Sequence, residues 1–315
     1  MDIQTAHEDC LAVLDAVSEA VIADETFLET VLTGAVARGH VLLEDVPGTG
    51  KTLTARSLAT ALGLSFSRVQ FTPDLLPSDV TGTHVFNERD REFEFREGPI
   101  FANVVLADEI NRAPPKTQAA LLEAMEEEQV TVDGETHELP DPFFVIATQN
   151  PVEQGGTFPL PEAQLDRFAV KTAVGYPDEA GEIEILRRRA GRAERSPAIE
   201  PVLSPDRVRA LREAPESVRV EDDLLAYMAA LTRATRRDRR VQIGVSPRGT
   251  QRLFEASRAR AVVAGRAFVT PDDVKRVAVP VLAHRLVLTP DARVEEVEKR
   301  RIIEDVLDET PVPTL

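Results

Sequence analysis

Apolar runs of five to seven residues alternate with helical patterns between His40 and Val174. Most of these runs are nearly continuous in apolar and β-branched residues, which is typical of strands buried on both faces of a parallel sheet. They cover residues 40–44, 65–71, 103–108, 142–148 and 168–174. Between them, residues 51–62 carry apolar side chains at helical spacing, and Pro114 stands where a first-turn proline would open a helix ending at Glu128. The alternation predicts an α/β fold with a parallel five-stranded sheet covered by helices.

Two segments interrupt this alternation and favour β-hairpin insertions. Residues 84–96 place Phe93 and Phe95 between charged residues, in the alternating pattern of a half-exposed strand. Residues 129–139 contain Asp133-Gly134, a strong hairpin-turn signal. We therefore expect two hairpins outside the main sheet.

After Tyr176-Pro177, helix signals replace strand signals. A hydroxyl residue followed by proline is typical of a helix N-cap and first turn. This pair occurs at Ser204-Pro205, Ser246-Pro247, Thr270-Pro271 and Thr289-Pro290. The sequence thus predicts an α/β domain over residues 1–176 and a smaller, all-helical domain over residues 177–315.

Composition narrows the class of protein. The net charge of −17 means that most of the surface repels phosphate backbones, so we expect no stable complex with nucleic acid. No apolar run approaches the roughly 18 residues of a membrane span, and the first residues lack a basic signal segment, which predicts a cytoplasmic protein without a membrane span.

Cys10 is the only cysteine, so we expect a buried small side chain there. The five histidines show no metal-binding spacing, and we expect them to be structural.

The run at 40–44 leads into a glycine-rich loop and then a helical pattern, the order of a phosphate-binding P-loop. Glycines let backbone N–H groups approach an anion, and the helix N-terminus adds partial positive charge. We expect Lys51 to reach the β and γ phosphates and the Thr52 hydroxyl to bind Mg²⁺. Asp45 stands where the first glycine of the motif is usual, but at the base of the loop, so binding should remain. The expected ATP-binding residues are Pro47, Gly48, Thr49, Gly50, Lys51, Thr52 and Leu53.

Polar residues end two further strands of the expected sheet. Asp108 ends the run at 103–108 and Glu109 follows it, and a parallel sheet would bring both beside the P-loop. Asp108 could orient Mg²⁺, and Glu109 could take the proton from an attacking water. Asn150 follows the run at 142–148 and could hold that water. Alone, two acids after a strand are common, and Asn150-Pro151 could simply begin a turn.

Together these motifs resemble the MoxR branch of the AAA+ ATPases. The similarity covers residues 71–82, 98–125 and 147–168, and continues through 269–274 and 279–288. The resemblance implies an ATP-driven, chaperone-like protein that forms a homo-oligomeric ring, with six subunits as the expected number. Its clients would be proteins that it remodels or matures, including ones with von Willebrand A domains or metal centres. The two hairpins match insertions of this branch that usually face a pore or a partner.

The resemblance also assigns roles to individual residues. Lys51 and Thr52 match Walker A, Asp108 and Glu109 match Walker B, and Asn150 matches sensor 1. Arg167 matches the arginine finger, Arg248 matches sensor 2, and Arg112 could be a further sensor or an ordinary loop arginine.

For both Arg167 and Arg248, a simple surface role is the alternative to a role at the nucleotide. Arg167 precedes a strand, at an edge that could face a neighbouring subunit, but it could instead form a surface ion pair with Asp166 or Glu162. Arg248 begins a helix of the second domain and would reach the nucleotide only if that domain folds over it as a lid. Otherwise Arg248 is a solvent-exposed first-turn arginine.

Three other functions share parts of this pattern. A magnesium-chelatase-like motor subunit has a similar ATPase and would be identified by ATP-dependent metal insertion with partner subunits. A nucleic-acid-dependent motor is disfavoured by the negative charge, and by arginine clusters at 187–189 and 236–240 that lack interleaved aromatic residues. A nucleotide switch without hydrolysis is disfavoured by the joint presence of Glu109 and Asn150.

Overall fold

A computed structural model describes residues 1–151, 156–191, 197 and 199–313. Residues 152–155, part of one segment of family similarity, lie outside the described residues. The strands in the described part, in chain order, are β1 (His40–Glu44), β2 (Phe66–Gln70), β3 (Gly82–Asn87), β4 (Glu92–Glu97), β5 (Val104–Asp108), β6 (Gln129–Val132), β7 (Glu135–Glu138), β8 (Phe144–Gln149), β9 (Phe168–Thr172), β10 (Val241–Ile243) and β11 (Val287–Leu288).

Helices cover both faces of the sheet and make up most of the chain after β9. They are α1 (Ile3–Ala20), α2 (Glu25–Val36), α3 (Lys51–Ala61), α4 (Pro77–Thr81), α5 (Pro115–Glu127), α6 (Glu162–Leu165), α7 (Glu179–Ala190), α8 (Pro205–Glu213), α9 (Asp222–Thr235), α10 (Pro247–Val263), α11 (Pro271–Leu282), α12 (Pro290–Val294) and α13 (Lys299–Glu309). Short 3-10 helices cover Ile110–Arg112, Ala214–Ser217 and Ala283–Arg285. In the part of the chain that the structure describes, no helix is both long and apolar enough to cross a membrane.

The central sheet has five parallel strands in the order β2-β5-β8-β1-β9, which confirms the α/β prediction. Alternate residues of each strand enter different hydrophobic clusters. Val41 and Leu43 belong to one cluster, whereas Leu42 belongs to the other, and Leu106 and Val105 divide in the same way. The sheet is therefore buried on both sides, which explains why its strands read as continuous apolar runs.

The first of these clusters extends beyond the sheet to both ends of the chain. Helix α1 buries Ala6, Cys10, Val13 and Val17 on one face, at the spacing of a helical stripe. This face packs with residues of α2, α3, α10 and α11 in a single hydrophobic cluster. Burial raises the pKa of the Cys10 thiol to about 12, so this side chain is a neutral packing group.

The helix caps that the sequence predicts in the second half are present. The side chains of Ser204, Ser246, Thr270 and Thr289 each accept a hydrogen bond from a backbone N–H in the first turn of the helix that follows. The expectation that this half is all helix was wrong in one detail, because β10 and β11 form an antiparallel pair. Strands of three and two residues are too short to give an alternating pattern.

Both expected hairpins are formed, β3 with β4 and β6 with β7. Asp133 and Gly134 adopt φ values of 51° and 88°, as a tight hairpin turn with two left-handed residues requires. The first hairpin begins at Gly82, two residues before the predicted start. The hairpins lie side by side, since His84 of β3 contacts Asp133 in the turn between β6 and β7.

Candidate active site

The loop between β1 and α3 has the backbone of a phosphate cradle. Gly48 and Gly50 have φ values of 90° and 92°, in the left-handed region that favours glycine. A Cβ added at either residue would meet nothing within 4 Å, so conformation and not crowding requires glycine here. The loop leads directly into Lys51, the first residue of α3, and thus places a helix N-terminus at the anion position.

Lys51 lies over the base of this loop. Its Nζ donates to the carbonyl oxygens of Asp45 and Val46, each at 2.7 Å. Burial lowers the pKa of Lys51, although the nearby carboxylates of Asp45, Asp108 and Glu109 oppose this effect. The ammonium group is already partly desolvated, so phosphate oxygens can replace the two carbonyls at a small additional desolvation cost.

Asp45 has a structural role at the position where a glycine is usual. Its buried carboxylate accepts hydrogen bonds from the backbone N–H of Val46 and from that of Gly175, both at 2.8 Å. Gly175 follows β9, so one side chain fastens the base of the P-loop to the segment that leaves the sheet. The departure from the usual motif thus preserves the shape of the loop.

Asp108 ends β5 and is held from two sides. Its Oδ2 accepts hydrogen bonds from Arg68 Nε at 3.0 Å and Arg68 Nη2 at 2.7 Å. Its Oδ1 accepts one from the Thr148 hydroxyl at 2.6 Å. Because Thr148 is fully buried in β8, Asp108 has a fixed position at the carboxyl edge of the sheet.

Glu109 directly follows β5, but its backbone is not extended. Its φ of 57° and ψ of 48° are left-handed, so its side chain departs from the alternation of β5. The backbone N–H of Glu109 donates to the Thr148 hydroxyl at 2.8 Å. Its Oε2 accepts from Gln70 Nε2 at 2.8 Å and from Arg112 Nη1 at 2.9 Å. Two donors therefore orient this carboxylate.

Arg68, Gln70 and Thr148 are site residues that the motifs did not reveal. Arg68 and Gln70 are two apart in β2, on the face that meets the acidic residues, and Gln70 pairs in register with Asp108. The signal was present as polar residues at alternate positions of a strand. Its meaning depended on β2 lying beside β5, which the sequence alone did not establish.

The motif residues meet at a cavity of about 440 Å³. Thr52 and Asp108 both line it, and their hydroxyl and carboxylate oxygens are the hard donors that Mg²⁺ prefers, so the residues fit this ion. Thr49 does not line the cavity, and its hydroxyl donates to the Val46 carbonyl at 3.3 Å. The expected site residues that line the cavity are Pro47, Gly48, Gly50, Lys51, Thr52, Leu53, Asp108, Glu109 and Asn150.

Arg167 and Arg248 do not line this cavity. Arg167 donates to the Leu122 carbonyl and lies 3.1 Å from the Glu126 carboxylate. Arg248 Nη1 lies 3.1 Å from the same carboxylate. The alternative partners considered for Arg167 were therefore wrong, because Glu126 in the last turns of α5 takes that place. The second domain also does not bring Arg248 over the nucleotide cavity of its own chain.

Asp166, beside Arg167, is paired with a different arginine. Arg285 is almost fully buried and donates through Nε to Asp166 at 2.8 Å. Burial lowers the pKa of Arg285 to about 10, and the adjacent Asp166 opposes the shift. Arg285 remains a cation at neutral pH. Three guanidinium groups thus meet two carboxylates here, which leaves an excess of positive charge.

The histidines show no metal-binding spacing along the chain, but the fold of the hairpins brings two of them together with a glutamate. His84, Glu135 and His137 each bring one potential ligand atom into a group within 4.8 Å of one another. Two hairpins supply these residues, so no spacing along the chain could reveal the group.

Comparisons with known proteins agree with this geometry. Residues 40–170 match the ATPase family associated with various cellular activities (AAA), and residues 233–306 match the AAA lid domain. The chain is 49% identical to the uncharacterized protein YeaC of Bacillus subtilis, over 90% of this chain and 88% of YeaC. It is 42% identical to Chaperone MoxR1 of Mycobacterium tuberculosis, over 94% of this chain and 80% of MoxR1. Its fold is similar to that of a Cytophaga hutchinsonii protein assigned as an ATPase, with a TM-score of 0.91, 38% identity, and coverage of 99% and 97%.

Proposed function

The chain belongs to the MoxR branch of the AAA+ ATPases, and on that premise we propose that it uses hydrolysis of Mg²⁺-ATP to remodel or mature client proteins. One observation carries the proposal. Lys51, Asp108, Glu109 and Asn150 meet around a single cavity at the carboxyl edge of the sheet. We retain the division into residues 1–176 and 177–315, with the second part as the lid domain.

Each side chain has a separate task in hydrolysis. Lys51 exchanges its loop carbonyls for phosphate oxygens and balances their charge. Thr52 and Asp108 would hold Mg²⁺, which neutralises phosphate charge when bound. Glu109 accepts the proton of the attacking water, and Asn150 orients that water.

The hydrogen bonds to Glu109 support its role as the base. Gln70 and Arg112 both donate to Oε2, which holds the carboxylate in a fixed orientation. Proton transfer requires either the release of one donor or the use of the second oxygen. Gln70 and Arg112 thus determine how the Glu109 carboxylate faces the attacking water.

We place Arg167 and Arg248 at the active site of an adjacent subunit in a homo-oligomeric ring of six. Both lie away from the cavity of their own chain, and their side chains are 29% and 41% exposed. Both form an ion pair with the same carboxylate, Glu126, which is itself 35% exposed. The γ-phosphate of a neighbour could replace Glu126 as the partner of both guanidinium groups.

The function is tested by comparing Lys51→Ala with Glu109→Gln in the full chain. We expect Lys51→Ala to abolish ATP binding, since its charge faces the phosphates. Glu109→Gln should retain ATP binding and lose turnover, because Glu109 acts only on water. Binding is measured with a fluorescent ATP analogue and turnover by phosphate release. Lys116→Ala, at an exposed lysine of α5 outside the cavity, is the matched control. Equal loss of ATP affinity in the two site variants would refute the division of roles.

Clients are identified with the same Glu109→Gln variant. In Mg²⁺-ATP this variant should remain in the ATP state and retain client proteins, among which we include proteins with von Willebrand A domains. The bound proteins are compared with those retained by Lys51→Ala. Identical sets would show that capture does not depend on ATP and would argue against remodelling.

A further inference from the structure

Two histidines and a glutamate meet where the hairpins touch. His84 belongs to β3, and Glu135 and His137 belong to β7. Glu135 and His137 are two residues apart in one strand, so their side chains share a face. His84 Nε2 lies 3.4 Å from a carboxylate oxygen of Glu135, and the three ligand atoms lie within 4.8 Å of one another. Side chains in this arrangement could hold one cation.

Asp133 lies on the other side of the His84 ring. Its Oδ2 is 3.1 Å from His84 Nδ1. When Nδ1 donates its N–H to Asp133, the lone pair of Nε2 faces the Glu135 carboxylate, and a cation between Nε2 and this carboxylate can bind both. A carboxylate behind a metal-bound histidine is also the usual means of fixing its tautomer.

His137 contributes an imidazole in an apolar setting. Its ring stacks on Phe95 with centroids 3.8 Å apart and planes 12° apart, and Phe101 packs against the same phenylalanine. Its Nε2 is buried and has no hydrogen-bond partner among the described residues. A ring nitrogen that no described protein group uses is available as a metal ligand.

We propose that His84, Glu135 and His137 bind one divalent transition-metal ion, with Zn²⁺ as the best-fitting class. Two nitrogen ligands and one carboxylate suit Zn²⁺, whereas Mg²⁺ and Ca²⁺ take oxygen ligands. The exposed carboxylates of Asp133 and Glu135 leave the site open to solvent, so the ion can enter and water can complete its coordination. None of these residues lines the nucleotide cavity. The ion would clamp the two hairpins together.

The test uses the full chain without a histidine tag or nucleotide, with Co²⁺ as a spectroscopic probe and Zn²⁺ as its competitor. We expect one Co²⁺ per chain, with visible absorption bands that Zn²⁺ abolishes. His84→Gln and His137→Gln should lose this stoichiometric binding. Glu135→Gln changes an exposed side chain, so it should fold normally and weaken binding at least about tenfold. Glu138→Gln, on the opposite face of β7, is the matched control and should bind like the wild type.

A second measurement reports on the clamp itself. Zn²⁺ should slow backbone hydrogen exchange in β3, β4, β6 and β7 of the wild type and of Glu138→Gln, but not of Glu135→Gln. Absence of stoichiometric Co²⁺ or Zn²⁺ binding by the wild type would overturn the proposal. Equal affinity of Glu135→Gln and the wild type would also overturn it, because the ion would then bind elsewhere. Both readouts are taken without ATP, so they do not depend on whether the protein hydrolyses it.

Discussion

His40 is held in one protonation state by its position at the start of β1. Its Nδ1 accepts the backbone N–H of Val145 at 3.0 Å, so its Nε2 carries the proton and donates to the Met125 carbonyl at 2.9 Å. The ring is buried, and burial lowers its pKa from 6.5 to about 4. A protonated ring would lose the bond to Val145. The neutral form is thus favoured by desolvation and by the hydrogen bond from Val145, although the hydrogen bond to the Met125 carbonyl opposes this preference.

This environment predicts a loss of stability in acid. Below pH 6.5 the unfolded chain protonates His40 while the folded chain does not, so the free energy of unfolding falls as pH decreases toward about 4. The full loss is roughly 3 kcal/mol, from about 1.4 kcal/mol per unit of pKa difference. Urea unfolding at several pH values between 7 and 4 measures it. His40→Asn should have a shallower pH dependence than the wild type, because one titrating group is absent. Parallel pH profiles would show that His40 is not responsible.

Among single residues, those that follow a strand could be found from the sequence. Asp108 ends an apolar run, Asn150 lies shortly after another, and Lys51 follows the loop after a third. Local pattern locates such runs well. Arg68 and Gln70 could not be assigned, because their contacts with Asp108 and Glu109 depend on the order of strands in the sheet. His84 and His137 remained hidden for the same reason, since separate hairpins bring them together.

At the scale of elements, α10 shows how a cap positions a residue that we propose for the site, Arg248. Ser246 accepts a hydrogen bond from the Gly249 N–H at 3.2 Å and so fixes the first turn of the helix. Arg248 lies in that turn and reaches Glu126 on α5. The cap therefore determines where the Arg248 guanidinium group lies.

Removal of this cap should destabilise the chain. We expect Ser246→Ala to lower the free energy of unfolding by about 1 kcal/mol, because a backbone N–H loses its partner. Ser18→Ala is the control, since Ser18 is an exposed serine inside α1, where alanine is a better helix former. Thermal and urea unfolding without nucleotide measure both variants. Similar stability changes in the two variants would mean that Ser246 acts only as a surface residue.

The elements themselves were largely predictable, and the exceptions have physical reasons. The five core strands were visible because burial on both faces makes them apolar throughout. The end of the last strand was placed too late, because Ala173 and Val174 extend the apolar pattern beyond Thr172, where pairing in β9 ends. The arrangement of α10 beside α5 could not be inferred, since it results from packing between distant parts of the chain.

At the scale of the whole molecule, the guanidinium groups of Arg167, Arg248 and Arg285 lead us to expect that the proposed active site depends on assembly. An excess of positive charge lies around Glu126 and Asp166, away from the cavity of the same chain. Phosphoryl transfer spreads negative charge over the γ oxygens, and a guanidinium group from outside can stabilise it by roughly 10³–10⁵ in rate. A subunit by itself would lack this contribution.

Mixed assemblies test this dependence. Arg167→Ala should bind ATP and hydrolyse little, as should Glu109→Gln. Rings that contain both variants should recover part of the activity, because some junctions join an intact Glu109 site to an intact Arg167. Phosphate release is measured as a function of mixing ratio and total protein concentration, with subunit exchange followed by fluorescence.

The control for mixing places both substitutions in one chain. Adding this double variant to Arg167→Ala should restore no activity, because no subunit in the mixture supplies Arg167. A wild type whose activity per subunit is independent of concentration would place Arg167 in a structural ion pair with Glu126. Co-assembled single variants without any recovery would lead to the same conclusion.

The hydrophobic cluster shared by the two ends of the chain has a consequence for exchanging parts between relatives. Helix α1 lies outside both family-matched segments, yet its His7 ring is bonded to the Val263 carbonyl at the end of α10, and its apolar stripe packs in the cluster that contains α10 and α11. In a chimera that imports only residues 233–306 from a relative, the native α1 would have to pack against side chains that differ from those of its own α10 and α11. Importing α1 together with that segment would keep the matched surfaces as a pair. The transferable unit of this molecule is therefore discontinuous in sequence.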